Sequence, residues 1–161
     1  LAHELTHVVI ADRFIERQVP RWADEGMAVL ADTKGKQDLH HADLGHAQAN
    51  RAMFRLVELM QMQNYPDAAR QGTFYGQSAS LVRFLVSQGG EQAFVRFLTK
   101  SSQTGYDAAL REVYKFSDIT ELEQHWQRHL STDAARPCGN TPAAFTGHDP
   151  EACAVSYAGN R

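Results

Sequence analysis

Residues 3–7 read His-Glu-Leu-Thr-His, and residues 20–28 read Pro-Arg-Trp-Ala-Asp-Glu-Gly-Met-Ala. Apolar residues recur near helical spacing in the first stretch and no proline or glycine precedes Pro20, so residues 1 to about 16 are predicted to form one helix. Four residues turn a helix by roughly 400°, which places His3 and His7 on one face. Both imidazoles can therefore bind one zinc ion, and Glu4 beside them can take the proton of the attacking water and pass it to the leaving amine.

A hydrolytic zinc site needs a third protein ligand and one open position. A metzincin would continue with Gly and His at the positions that here hold Ile10 and Arg13, so that pattern fails. Glu25 is the alternative, because the 17 residues between it and His7 allow the chain to turn and return antiparallel. Gly26 is expected to let these two helices approach closely around the metal.

The two motifs, in this order and at this spacing, resemble the gluzincin metallopeptidases, specifically the bacterial group called peptidase MA-like. The second motif of that group reads approximately Pro-x-Trp-x-x-Glu-Gly-x-Ala. The resemblance implies zinc as the cofactor, His3, His7 and Glu25 as its ligands, and Glu4 as general base and acid. It also implies a peptide or protein as the substrate.

The resemblance extends more weakly to about residue 130. In related aminopeptidases a tyrosine from the later helices donates a hydrogen bond to the tetrahedral oxyanion, and the resemblance implies that role for Tyr75. The alternative is that Tyr75 is a core aromatic residue at the start of a helix. The position where thermolysin-type enzymes hold a supporting aspartate is Val29 here. Asp24 and Asp32 are the candidate partners for the outer nitrogens of the two histidines, with simple exposure to water as the alternative.

The rest of the chain is predicted to be helical between short breaks. The second helix should end near Lys34 at Gly35, and residues 36–47, with His40, His41 and His46, should form a polar loop. His125 and His129 are expected on a solvated helix face. The remaining predicted helices are 48–64, 74–88, 91–99, 106–114 and one from the Asp118–Glu121 capping box to about residue 130.

The predicted fold class is mainly α, a zincin-like helical subdomain in which two antiparallel zinc helices precede a helical bundle. Gluzincins place a small sheet upstream, whose edge strand pairs with the substrate backbone. No stretch here is typical of a strand, and Leu1 is not an initiator Met, so we expect that sheet to lie outside this chain. Residues 1–130 are predicted to form the catalytic domain and 131–161 an irregular tail.

Composition limits the other possibilities. The 161 residues include 16 Lys plus Arg against 19 Asp plus Glu, and this net charge of -3 disfavours a nucleic-acid partner. No apolar run is long enough to predict a membrane-spanning segment. Cys138 and Cys153 are either two free thiols or a disulfide, and a disulfide would indicate a periplasmic or secreted protein.

The function predicted from these features is zinc-dependent hydrolysis of peptide bonds. Two alternatives stay open. One is a zinc-binding module that has lost proteolysis and binds peptides or assembles complexes, and the other is a helical interaction domain without metal.

Overall fold

The structure, a computed structural model, describes residues 1–14 and 19–134 of the chain. All regular structure in these residues is helical, which confirms the mainly α fold class. The predicted end of the first helix near residue 16 and the Cys138–Cys153 pair lie outside the described residues, as does the tail from residue 135. The helices are α1 (Ala2–Arg13), α2 (Arg21–Leu30), α3 (Lys34–Ala49), α4 (Leu56–Gln61), α5 (Ala68–Thr104), α6 (Tyr106–Val113) and α7 (Ile119–Ala134).

The first two helices run antiparallel, as predicted. His3 near the start of α1 pairs with Asp32 just after α2, whereas His7 further along α1 pairs with Asp24 near the start of α2. Ile10 is the one buried residue of α1, and the opposite face of this helix exposes Leu5, Val8 and Val9. Within the described residues, α1 is therefore held mainly by the face that carries the two histidines.

The position of α2 is fixed by the core behind it. Trp22 is fully buried, and its indole N–H donates to the Tyr106 hydroxyl at 3.2 Å. That hydroxyl in turn donates to the Met60 carbonyl at 2.9 Å, so α2 is tied to both α4 and α6. A helix anchored in this way can hold a functional side chain rigidly.

Gly26 brings α2 against α5. A Cβ at this glycine would lie 2.6 Å from the Ser78 carbonyl oxygen and 2.6 Å from Val82 Cγ2. The expectation that Gly26 lets the two zinc helices approach each other is therefore wrong. The missing side chain instead allows close contact with the helix that backs the site.

The predicted loop at 36–47 is wrong, because these residues lie within α3. The sequence of α3 shows a weak apolar pattern because just two residues of this helix, Leu44 and Ala47, are buried. The helix packs instead against two glycines one turn apart on α5. A Cβ at Gly76 would meet the His40 carbonyl oxygen and Leu44, and one at Gly72 would meet the Asp43 carboxylate.

The second helix ends four residues earlier than predicted, at Leu30. The Gln37 side-chain amide donates to the carbonyl oxygens of Leu30 at 3.0 Å and Asp32 at 2.8 Å. These bonds satisfy carbonyls that the end of a helix leaves without partners. Gly35 consequently lies in the first turn of α3 and does not stop α2.

The predicted helix at 48–64 is wrong over much of its length, since α4 covers only Leu56–Gln61. The buried Gln77 side chain accepts from the Phe54 N–H at 2.7 Å and donates to the Phe54 carbonyl at 3.0 Å. Glu123 accepts from the Leu56 N–H at 3.0 Å. Side chains from α5 and α7 thus bind the backbone groups that a continuous helix would have paired.

The later helices follow the prediction more closely. The break at Gly89-Gly90 is confirmed, because Gly90 has a φ of 78° inside α5, although this element begins earlier and ends later than residues 74–99. The predicted helix 106–114 corresponds to α6. Asp118 accepts from the Glu121 N–H at 2.9 Å at the start of α7, which confirms the predicted cap, and α7 extends to Ala134.

Candidate metal centre

The two histidines of the first motif face the same point in space. Their ring centroids lie 4.9 Å apart and the ring planes are nearly perpendicular. Nε2 of His3 lies 3.7 Å from Glu25 Oε2, and Nε2 of His7 lies 3.8 Å from the same oxygen. The geometry therefore brings together the three residues that the sequence singled out as ligands.

The third member of the group, Glu25, is only 3% exposed. One ligand atom from each of the three residues lies within 4.8 Å of the others. Tetrahedral zinc with bonds of about 2.05 Å would place neighbouring ligand atoms about 3.3 Å apart, a few tenths of an ångström closer than the two His–Glu distances. Two imidazoles and one carboxylate thus fit a zinc ion with small movements and leave one position open.

Each histidine is held from behind by a carboxylate. Asp32 Oδ2 lies 2.8 Å from Nδ1 of His3, and Asp24 Oδ1 lies 2.8 Å from Nδ1 of His7. A carboxylate accepts a hydrogen bond from Nδ1–H and so leaves the Nε2 lone pair directed at the shared point. Asp24 and Asp32 therefore do not simply face water, and both occupy the supporting positions predicted for them.

The electrostatics of the group favour positive charge at His7. Burial alone would lower the pKa of this imidazole, but the hydrogen bond with Asp24 and the charges of Asp24, Glu25 and Glu4 together raise it above its ordinary value. A bound cation would occupy the same negative field. The arrangement is thus typical of a metal site.

A known protein family matches most of the chain. A sequence model of the family described as the peptidase MA superfamily matches residues 1–132. The chain belongs to the peptidase MA superfamily. Membership indicates a peptidase-type protein with a peptide or protein substrate, and peptidases of this superfamily are generally metal-dependent. Searches of curated proteins and of solved structures gave no significant match.

Glu4 lies on α1 of this peptidase MA chain, beside the face that carries the histidines, and is exposed. Its negative charge contributes to the raised pKa of His7, which indicates that the carboxylate is close to the ligand group. An exposed carboxylate at this position can exchange protons with water and substrate.

Tyr75 lies on α5 and is half-buried. Burial raises the pKa of its phenol and the charge of Glu25 acts in the same direction, whereas Arg21 opposes them. Its hydroxyl makes no hydrogen bond to another described residue. Tyr75 is therefore a neutral donor near Glu25 that is available to a ligand.

Tyr65 also belongs to the candidate site, although it was not predicted from the sequence. It lies in the segment 62–67 between α4 and α5, and its hydroxyl donates to Glu25 Oε1. Burial raises the pKa of Tyr65 to about 12, with further contributions from the hydrogen bond and charge of Glu25. Asn-Tyr-Pro-Asp at 64–67 is a sequence typical of a helix break, and an aromatic residue inside such a break is the one signal for Tyr65 that the sequence offers.

Within the described part of the chain, the remaining histidines of this superfamily member form no second group of three or more possible metal ligands. His3, His7 and Glu25 are the only such group of three or more ligands within residues 1–14 and 19–134. The His40 ring packs 5.2 Å from the Tyr75 ring, and the His125 ring packs 5.0 Å from the ring of Phe116. Both rings pack against aromatic side chains, and His40, His41 and His46 belong to α3 instead of a loop.

A cavity of about 690 Å³ lies next to the centre. Its lining includes His7 and Asp24 on one side and Met60, Ser101 and Tyr106 on another. Glu25 is not among the residues that line it. None of the helices in the described ranges has the length and hydrophobicity that crossing a membrane requires.

Proposed function

We propose that this member of the peptidase MA superfamily is a gluzincin-type zinc metallopeptidase that hydrolyses peptide bonds. His3, His7 and Glu25 hold the zinc ion, and Glu4 is the general base and acid. The observation on which the proposal rests is the convergence of three ligand atoms within 4.8 Å, with a carboxylate behind each imidazole. The match of the superfamily to residues 1–132 supports the same reaction class.

The donor set favours zinc over harder metals. Imidazole nitrogen suits zinc, whereas magnesium and calcium prefer a shell of oxygen ligands. Two nitrogens, one carboxylate oxygen and a free fourth position form the usual hydrolytic arrangement. When bound, zinc would polarise the substrate carbonyl and lower the pKa of a water molecule toward about 7.

Glu4 supplies the proton transfers. Its carboxylate accepts a proton from the water as the water oxygen bonds to the carbonyl carbon of the substrate. The same carboxyl group then gives that proton to the amide nitrogen as the C–N bond breaks, so the amine leaves uncharged. Its exposed position next to the histidine face supports this role because substrate and water can both reach it.

Tyr75 stabilises the oxyanion that forms on the carbonyl oxygen. A phenol whose pKa is raised above its ordinary value keeps its proton at neutral pH and can donate it in a hydrogen bond. The proximity of Glu25 to Tyr75 supports this assignment, as does the absence of a described partner for the hydroxyl.

The experiment that tests the proposal compares wild type with Glu4→Gln in the full natural protein on a random peptide library. We expect Glu4→Gln to keep its zinc and to lose hydrolysis, because the amide cannot accept the proton. Glu91→Gln, at an exposed position of α5, is the matched control and should cleave like wild type.

Two outcomes contradict the proposal. Equal cleavage by wild type and Glu4→Gln would exclude Glu4 as the base. A wild-type protein that holds zinc but cleaves nothing would favour the zinc-binding module without proteolysis.

A further inference from the structure

The two oxygens of Glu25 have different partners. Oε2 is the atom nearest the histidines, 3.7 Å from His3 Nε2 and 3.8 Å from His7 Nε2. Oε1 accepts the hydrogen bond from the Tyr65 hydroxyl. The buried carboxylate is thus oriented with one oxygen toward the shared point of the ligands and the other toward the segment 62–67.

That segment is itself held in place from α2. Arg21 Nε donates to the Gln63 carbonyl at 2.9 Å, and the Arg21 guanidinium lies 4.3 Å from the centre of the Tyr65 ring. On the other side the Tyr65 ring meets the Phe74 ring edge to face at 6.0 Å. The phenol therefore approaches Glu25 from a position fixed by two helices, although 44% of the residue is exposed.

We propose that Tyr65 is a positioning residue that makes Glu25 a one-oxygen ligand, an inference that rests on the proposed zinc site. With Oε1 occupied by the phenol, Glu25 offers only Oε2 to the metal. This arrangement keeps the coordination number low and the fourth position open for the reacting groups.

The hydrogen-bond inventory separates the roles of the two tyrosines. A phenol has one proton to donate, and the proton of Tyr65 is already donated to Glu25. Tyr65 therefore cannot stabilise the oxyanion while it positions the ligand. The hydroxyl of Tyr75 donates to no described residue and retains its proton for the substrate.

The test is zinc affinity, measured by competition with a chromogenic chelator on the wild-type protein, Tyr65→Phe and Tyr75→Phe. Loss of a supporting partner should weaken zinc binding by Tyr65→Phe by about 10–100-fold, while Tyr75→Phe stays within about 2-fold of wild type. At saturating zinc, kcat should recover only in part in Tyr65→Phe, because the freed Oε1 can occupy the position that the reacting groups need. It should stay low in Tyr75→Phe, by about 10²–10³-fold, because an oxyanion donor is missing.

Cobalt substitution gives a readout that does not depend on activity. If the freed Oε1 joins the metal, the visible spectrum of the cobalt form should weaken and shift in Tyr65→Phe. It should match wild type in Tyr75→Phe, where the ligands are unchanged.

An unchanged zinc affinity in Tyr65→Phe would overturn the inference. So would a kcat at saturating zinc as low as that of Tyr75→Phe, which would place Tyr65 on the substrate. If Tyr65→Phe does not fold, Arg21→Met serves instead, since it removes both contacts of Arg21 with the segment. It should weaken zinc binding, and an unchanged affinity would refute the inference. A wild-type protein without zinc affinity would refute the proposed function itself. A wild-type protein that binds zinc as tightly as Tyr65→Phe does would refute only the role of Tyr65.

Discussion

Replacing Asp32 or Asp24 with Asn should weaken zinc binding without removing a ligand. Each carboxylate lies 2.8 Å from the Nδ1 atom of a histidine and selects the tautomer whose Nε2 lone pair can bind metal. An Asn amide can also donate to Nδ1, which stabilises the tautomer with the proton on Nε2. That tautomer must be reversed before zinc can bind.

The two substitutions should weaken zinc binding by different amounts because the two carboxylates differ in burial. The Asp32 side chain is 6% exposed, and little water can replace it behind His3. The Asp24 side chain is 32% exposed, so water can partly restore the contact with His7. Supporting partners are typically worth about 10–100-fold in metal affinity, or about 1.4–2.7 kcal/mol, and we expect Asp32→Asn near the upper limit and Asp24→Asn near the lower.

Zinc affinity by chelator competition at pH 7 measures both effects. Asp38→Asn is the matched control, because Asp38 is 62% exposed and pairs with Lys34 away from the ligands. It should leave the affinity unchanged. Wild-type affinity in both variants, or a larger loss in Asp24→Asn than in Asp32→Asn, would refute the tautomer reasoning.

Three further substitutions test the scaffold, each by urea unfolding. Gly26→Ala should destabilise the protein by about 1–3 kcal/mol because its Cβ would lie 2.6 Å from the Ser78 carbonyl oxygen, and an unchanged midpoint would mean that α2 is not packed tightly on α5. Gln77→Leu should cost about 2–4 kcal/mol because it leaves the buried N–H and carbonyl of Phe54 without partners; a loss below about 0.5 kcal/mol would contradict this. Tyr114→Phe should be neutral or stabilising at pH 7, since the buried Tyr114 hydroxyl has no hydrogen-bond partner among the described residues. Burial raises the pKa of Tyr114 in the folded protein. As the pH rises above the unfolded pKa of about 10, only the unfolded chain loses the phenol proton, so the wild type loses stability until the pH passes the folded pKa. Tyr114→Phe has no phenol proton and should therefore lose less stability than wild type above pH ~10.

The site was largely predictable because its geometry is local. The spacing of His3 and His7 fixes their common face through helical periodicity alone. Glu25 lies on the next helix after the chain reverses direction. The spacing allows α2 to run antiparallel to α1, and this is the arrangement observed. Asp24 and Asp32 lie on or next to the same helix as Glu25, so their positions follow from that of Glu25.

The parts that sequence reasoning missed depend on contacts between distant segments. Residues 36–47 form a helix because Gly72 and Gly76 of α5 give α3 a flat surface, which the weak apolar pattern of α3 does not reveal. The chain at Phe54 is not helical because Gln77, 23 residues later, binds its backbone. Tyr65 reaches Glu25 across 40 residues, a separation at which no local period can indicate contact.

The most direct test of the central claim is a zinc titration of the purified full natural protein, with Glu25→Ala and Glu91→Ala measured alongside it. The proposed site predicts about one zinc per chain in wild type and in Glu91→Ala, and a large loss of affinity in Glu25→Ala, since two imidazoles alone bind zinc weakly. Less than about a tenth of an equivalent in wild type, or full binding by Glu25→Ala, would contradict the assignment of His3, His7 and Glu25 as the metal centre.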